Sequence, residues 1–304
     1  MTDNIDTAAE LEFTASAREL AETGSALDLE NALRLEARQF EARAQASDGK
    51  GPRPVRLVIA DWEYSYDRSA HDGYKTAEGA DAETSIRWPF HRIASGSWMI
   101  LRFDPQADVP VVEAITTLAN DEADERDIAA RLFGTLELHA DAPLVTWAGE
   151  AKDIAVLRRV ASEAGLLLPP QLLDLNPYSR QRLDLCRMVA GTARFPHLPE
   201  YAAATGVPCK PSPAKLVGQL VESGDWDKVR DQCFADVLTT SVIALRHLAS
   251  HGIIACHPQR SLAAIADAAS KAMPKSAFVQ RAFSPWARAK LAASRLTGTV
   301  YRAA

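Results

Sequence analysis

Four acidic residues are candidates for chemistry, each with a plain structural alternative. Asp61 and Glu63 close the run VRLVIADWE. Residues 55–61 are apolar and β-branched, which predicts a buried strand. Side chains two apart on a strand share a face, so both acids point the same way. Two carboxylates this close repel unless a cation stands near them. On its own, D-x-E at a strand end is equally a pair of solvated acids. Asp153 follows LVTWAGEAK and opens DIAVLRRVASEAG. A helix N-terminus suits a ligand carboxylate, and it suits a simple cap or dipole partner as well. Asp236 lies in GDWDKVRDQCFADVLTTSVIALR, residues 224–246, beside an apolar stripe of Val237, Leu238, Val242 and Leu245. It is either a site residue or a rim acid paired with a surface base. Gln232 lies one turn earlier and shares its face.

The elements that must position these acids follow from the patterning. Strands are predicted at 55–61, 95–103, 109–117 and 142–147, with a short fifth at 172–175. Helices are predicted at 121–139, 153–165, 180–190, 213–222, 225–251, 258–272 and 285–296. Residues 64–92 are polar, hold Gly73 and Gly79, and read as a long loop. Strands and helices in this order indicate an α/β fold, a mixed sheet flanked by helices. Residues 9–46 look helical, and SDGKGPRP at 47–54 is a linker by composition. The expected domains are therefore a helical N-terminal extension (1–50), a main domain (51–254) and a basic helical C-terminal extension (255–304).

Composition limits the rest. The chain has 304 residues, 47% hydrophobic and 24% charged, which is ordinary for a globular protein. No run of eighteen apolar residues exists, so a membrane partner is not expected. The start MTDNIDTAAELE lacks the basic and apolar regions of a secretory leader. Cys186, Cys209, Cys233 and Cys256 are far apart and form no C-x-x-C pair. Scattered single thiols suit a reducing cytoplasm. The net charge of −6 is uneven: residues 1–50 carry eleven acids and five bases, and residues 255–304 carry eight bases and one acid. The basic end can contact phosphates, or it is a solvated helix face.

Taken in order, the segments resemble the motifs of the DEDD exonuclease superfamily. The nearest resemblance is to the predicted 3′–5′ exonucleases related to the proofreading domain of family B DNA polymerases. VIADWE is similar to a first motif that ends a strand in D-x-E. LVTWAGEAKDIAVL resembles LVT-[FW]-N-G-x-x-F-D-x-x-x-L. RLDL (182–185) resembles a short L-D segment, and GVPCKP (206–211) matches G-[IV]-x-x-K-P. GDWDKVRDQCFADVLTT resembles GDWxxIRDYCxxDVxxT.

The resemblance implies an RNase H-like fold, with a five-stranded mixed sheet holding one antiparallel strand. It implies a metal-dependent 3′–5′ exonuclease acting on single-stranded DNA or RNA. Asp61, Glu63, Asp153 and Asp236 would be ligands to two divalent ions, Mg²⁺ or Mn²⁺, set about 3.5–4 Å apart. The product would be nucleoside 5′-monophosphates.

Departures from the family pattern are equally specific. Gln232 replaces a tyrosine that orients the attacking water, and Asp231 stands where a histidine is the alternative. Gln232 can orient a water but cannot act as a base. Ala148 replaces an Asn, Lys152 a Phe, and Tyr64 a Thr. Lys152 and Lys210 are candidates for phosphate contact. Trp62 and Trp147 are candidates for stacking on a terminal base, with core packing as the other role for each. Asp184 reads as structural. The competing function is a nucleic-acid-binding module of the same fold, catalytically impaired by Gln232. A partner-binding role for the terminal helices is a third.

Overall fold

The computed structural model describes residues 54–296. The extension expected at 1–50 lies outside them, as do the last eight residues of the chain. Five strands form one sheet in the order β3-β2-β1-β4-β5. They are β1 (Val55–Tyr66), β2 (His91–Phe103), β3 (Val111–Ala119), β4 (Leu144–Thr146) and β5 (Arg182–Asp184). β2 is antiparallel to both β1 and β3, whereas β4 is parallel to β1 and β5 to β4. The one reversed strand is therefore β2, and the sheet is RNase H-like.

The helices are α1 (Arg68–Glu78), α2 (Glu125–Leu138), α3 (Asp153–Ala164), α4 (Pro170–Leu173) and α5 (Leu185–Ala190). They continue with α6 (Leu198–Ala204), α7 (Val217–Glu222), α8 (Trp226–Ser250), α9 (Pro258–Ala272) and α10 (Ser284–Leu296). None is long and apolar enough to cross a membrane.

Alternation along β1 divides the core in two. Leu57 and Ile59 face a cluster built on Phe234, Val237, Leu238 and Val242 of α8. Val58, Ala60, Trp62 and Tyr64 face the opposite cluster, with Ile128 and Leu132 of α2 and Ile154 and Leu157 of α3. A strand buried on both faces reads as a continuous apolar run, which is why residues 55–61 are conspicuous in sequence.

Several elements differ from expectation. β1 runs on to Tyr66 because Trp62, Tyr64 and Tyr66 keep the two-residue alternation past the acids. The segment expected as a loop contains α1, capped by Asp67, whose carboxylate accepts from the Ala70 amide at 2.9 Å. α1 buries only His71, so it has no apolar stripe to reveal it. The fifth strand is not residues 172–175. Pro170 at the helix start turns that segment into α4, and residues 182–184 form β5 instead. The helix expected at 180–190 accordingly shortens to α5.

The C-terminal helices are not appended. Leu262, Ile265 and Ala266 of α9, and Phe278, Val279 and Phe283 beyond it, belong to the same core as α8. A boundary at 254 would divide that core. Asp231 of α8 fixes the connection: its buried carboxylate accepts from the Ser276 hydroxyl and, at 3.1 Å, from the Phe278 amide. Removing it orphans two buried donors, at about 1–3 kcal/mol each. Asp231→Ala should therefore lower stability by about 2 kcal/mol or more. It should also open residues 273–283 to limited proteolysis before the sheet unfolds. A variant that melts and digests like the parent would refute this account.

Candidate active site

The site grows out of the alternation that builds the core. Leu57 and Ile59 point toward α8, and the next residues on that face are Asp61 and Glu63. They meet Asp236 of α8, which lies between the core residues Ala235 and Val237. Asp61, Glu63 and Asp236 each offer a carboxylate oxygen, and the three oxygens lie within 4.8 Å of one another. Glu63 and Asp236 are buried, while Asp61 is partly open. The β1–β2 register shifts between Glu63 and Tyr64: Glu63 pairs with Ser95, Tyr64 with Ile93, and Ala94 is the extra residue. Such a bulge bends and twists a sheet, here beside the acids.

Asp153 reaches the same end of the sheet from the other layer, as the first residue of α3. It is buried, and its Oδ1 accepts from the Tyr64 hydroxyl at 2.8 Å. It stands beside the three clustered acids rather than among them. The loop that delivers it is tightly held. Asp184, at the end of β5, accepts from the amides of Ala148 at 2.9 Å and Glu150 at 3.2 Å. Asp184 is thus a loop anchor. Gly149 has no room for a Cβ, which would collide with the Thr146 side chain. Ala148 takes φ 58°, a left-handed conformation that costs an alanine about 1–2 kcal/mol. Asn tolerates that region better, so the residue type absent at 148 is one the backbone would favour.

The carboxylates strain one another electrostatically. Burial, and then the charges of Asp236, Glu63 and Asp153, push the Asp61 carboxyl well above the ordinary 3.8. Burial raises Asp153 to about 6, with Lys152 and the Tyr64 hydroxyl opposing it. Burial also raises Asp236 to about 6, against the pull of Lys210. Burial and Asp153 push the Tyr64 phenol well above 10, so it stays a donor.

Lys210 points into the cluster. Its Nζ lies 2.5 Å from Asp236 Oδ2 and 3.3 Å from Glu63 Oε1. Burial would lower its pKa, but Asp236, Glu63 and Asp61 together hold it raised, so it stays a cation. Lys152 sits at the rim, 39% exposed, 3.7 Å from Asp153 Oδ1 and 4.2 Å from the Tyr64 ring centre. Gln232 is buried; its Nε2 donates to the Ser212 carbonyl at 3.1 Å and to the Ser212 hydroxyl. Its Oε1 has no partner among the described residues.

The stacking candidates are corrected. Trp62 is 3% exposed and lies over Gly96, its cross-strand neighbour, in the core. Alternation turns it away from the face that carries Asp61 and Glu63, so no base can reach its ring. Trp147 is also buried, against Tyr201, with its Nε1 donating to the Pro196 carbonyl at 3.3 Å. Two partners escaped the sequence reading. Ser212 gave no signal, and Tyr64 was visible only as a departure from the family pattern.

Residues 83–282 match the family model described as "Predicted 3'-5' exonuclease related to the exonuclease domain of PolB". That span, about two thirds of the chain, holds Asp153 and Asp236 and begins after Asp61 and Glu63. No curated protein matches the chain. Among solved structures, a family B DNA polymerase from the archaeon Pyrobaculum calidifontis is similar at 13% identity and a TM-score of 0.42. The alignment covers 74% of this chain and 30% of the polymerase. E. coli exonuclease I, in complex with a dT13 oligonucleotide, is similar at 11% identity and a TM-score of 0.35, over 64% of this chain and 41% of its own. The chain thus spans less than half the length of either. With a family model matched over most of its length, this chain belongs to the predicted 3′–5′ exonucleases related to the exonuclease domain of PolB.

Proposed function

We propose that the chain removes nucleotides from the 3′ end of single-stranded DNA or RNA, using divalent metal ions held by Asp61, Glu63, Asp153 and Asp236. The observation that supports this most is the convergence of three carboxylates within 4.8 Å, with a fourth alongside. Hard oxygen donors in this number suit Mg²⁺ or Mn²⁺. Like charges buried together also leave a favourable place for a cation. When bound, such ions acidify a water and stabilise the leaving 3′ oxygen.

The remaining residues have distinct roles in this reading. The Tyr64 hydroxyl orients Asp153. The Ser212 hydroxyl and carbonyl hold the Gln232 amide group, leaving Oε1 to accept a hydrogen bond from the attacking water. Gln232 cannot take that proton. Lys152, exposed at the rim, meets a substrate phosphate. Lys210 lies deeper and balances the negative charge that the phosphate adds. The product is a nucleoside 5′-monophosphate. Four free thiols fit a cytoplasmic setting.

A second reading has an observation of its own. Lys210 already pairs with Glu63 and Asp236, and such pairing competes with metal. On that reading the chain binds nucleic acid without cutting it.

One assay separates the two. Single-stranded oligonucleotides incubated with Mg²⁺ or Mn²⁺ should shorten from the 3′ end, and Asp61→Ala should abolish the ladder. Strands retained but left intact by the parent protein would instead support the binding module. Gln232→Leu should lower kcat by about a hundredfold with little change in KM, the scale of a lost water-positioning group. An unchanged kcat would remove Gln232 from the mechanism.

Stability supplies an independent readout. In chelator, Asp153 is protonated in both the folded and unfolded chain below its ordinary 3.8. Between 3.8 and about 6 the unfolded chain releases that proton first, so stability falls as pH rises. Above about 6 the loss is complete, at about 3 kcal/mol from this group. Thermal melts in chelator should therefore fall from pH 5 to pH 8. Mn²⁺ should restore Tm at pH 8 and do little at pH 5. Absence of a metal-dependent Tm at pH 8 would count against the metal site, whatever the activity.

A further inference from the structure

The segment from Asn176 to His197 is basic in a chain that is acidic overall. It carries four arginines and one acid, Asp184. Arg182 is buried in a pair with Glu150, and Asp184 is buried as the loop anchor. Arg180 and Arg194 therefore set the charge of this surface, joined by Arg187, whose Nε lies 3.7 Å from the Asp184 carboxylate. Neither Arg180 nor Arg194 has an ion-pair partner among the described residues. Two large rings stand beside them in water: Tyr178 is 76% exposed and Phe195 47% exposed. Arg187 lies between the rings, its guanidinium carbon 6.0 Å from the Tyr178 centre and 5.5 Å from that of Phe195.

An exposed cation–π contact is worth only about 0.5–1 kcal/mol, too little to explain leaving two aromatic rings in solvent. Rings held in place beside arginines, with faces open, are what single-stranded nucleic acid uses: bases stack and phosphates pair with the cations. The position fits as well. Asp184 caps α5 through the Arg187 amide, and the same carboxylate holds the loop that delivers Lys152 and Asp153. The surface thus adjoins the proposed site on the side of its second motif.

We propose that Tyr178, Arg187 and Phe195 form a stacking platform for the nucleotides upstream of the 3′ end being cleaved. This rests on the exonuclease reading, and it assigns that reading a substrate class: strands long enough to reach beyond the acids. The rings contact bases, so the platform does not select for sequence.

The test is length dependence. Cleavage of dithymidylate is compared with that of an oligothymidylate of about twelve nucleotides, within the site sizes that such grooves grip. In the parent protein KM should be far lower for the longer strand. Tyr178→Ala combined with Phe195→Ala should raise that KM by roughly tenfold or more, the scale of lost stacking, and leave dithymidylate turnover unchanged. Arg187→Ala should act in the same direction, and Tyr178→Phe, which keeps the ring, should behave as the parent. Thermal melts of each variant report whether the fold is intact.

A parent enzyme indifferent to length, or variants that leave the longer strand's KM unchanged, would overturn the platform while the nuclease reading stands. If the parent protein cuts nothing, fluorescence anisotropy with the same oligothymidylate in chelator takes over. Binding lost in the double variant upholds the platform, and binding retained, or absent from the parent protein, overturns it.

Discussion

Three carboxylates with oxygens within 4.8 Å of one another are an unfavourable thing to build into a protein. Each loses water on burial, and each repels the others. The raised carboxyls of Asp61 and Asp236 record that cost. The local architecture can be understood as what holds the acids together despite it. β1 is clamped between two apolar layers, so Asp61 and Glu63 cannot turn away. Asp236 is borne on a 25-residue helix whose flanking side chains are fully enclosed. Lys210 brings a cation within bonding distance of two of the acids. A group of charges so expensive, supported from both layers of the fold, is a reason to seek its use in chemistry rather than in stability.

The two layers contribute unequally. Asp61, Glu63, Asp236 and Lys210 share one face, whereas Asp153 arrives from the other, through a loop with a left-handed alanine and a glycine too crowded for a side chain. Strain of this kind persists where surrounding contacts over-determine the backbone. Asp184 and the buried Arg182–Glu150 pair provide those contacts. The loop therefore sets how far Asp153 stands from the other acids, and the Tyr64 hydroxyl fixes which way its carboxylate faces.

Much of this was legible in the residues. Four of the five strands followed from apolar runs, most plainly β1, because a doubly buried strand cannot hide its composition. The acids stood out only as a set, through the resemblance, since each alone was equally a solvated, capping or rim acid. Less visible were features without apolar periodicity: α1, which buries one histidine, and β5, which has three residues. The orientation of Lys210 toward the acids was also hidden, since a lysine in G-V-P-C-K-P says nothing about its direction. The stacking role offered for Trp62 fails because adjacency to Asp61 and Glu63 in sequence means opposition across a strand, and its core role stands. Alternation, applied one residue further, places that ring in the core.

The departures from the family pattern form a consistent set. A tyrosine is missing from position 232 on the helix, yet the adjoining strand carries a phenol, Tyr64, bonded to Asp153. That phenol stays protonated because burial and Asp153 push its pKa well up, so it donates where an ionised phenol would only accept. Its hydroxyl also occupies one lone pair of Asp153, and Lys152 stands close to the same oxygen, 3.7 Å away. Asp153 is thereby held as a carboxylate oriented from two sides, while Gln232 keeps an unpaired carbonyl oxygen. In the proposed enzyme, orientation of the acid and orientation of the water would then be divided between strand and helix. This division accounts for Gln232 and Tyr64 together in the proposed enzyme, where either substitution alone would look like loss.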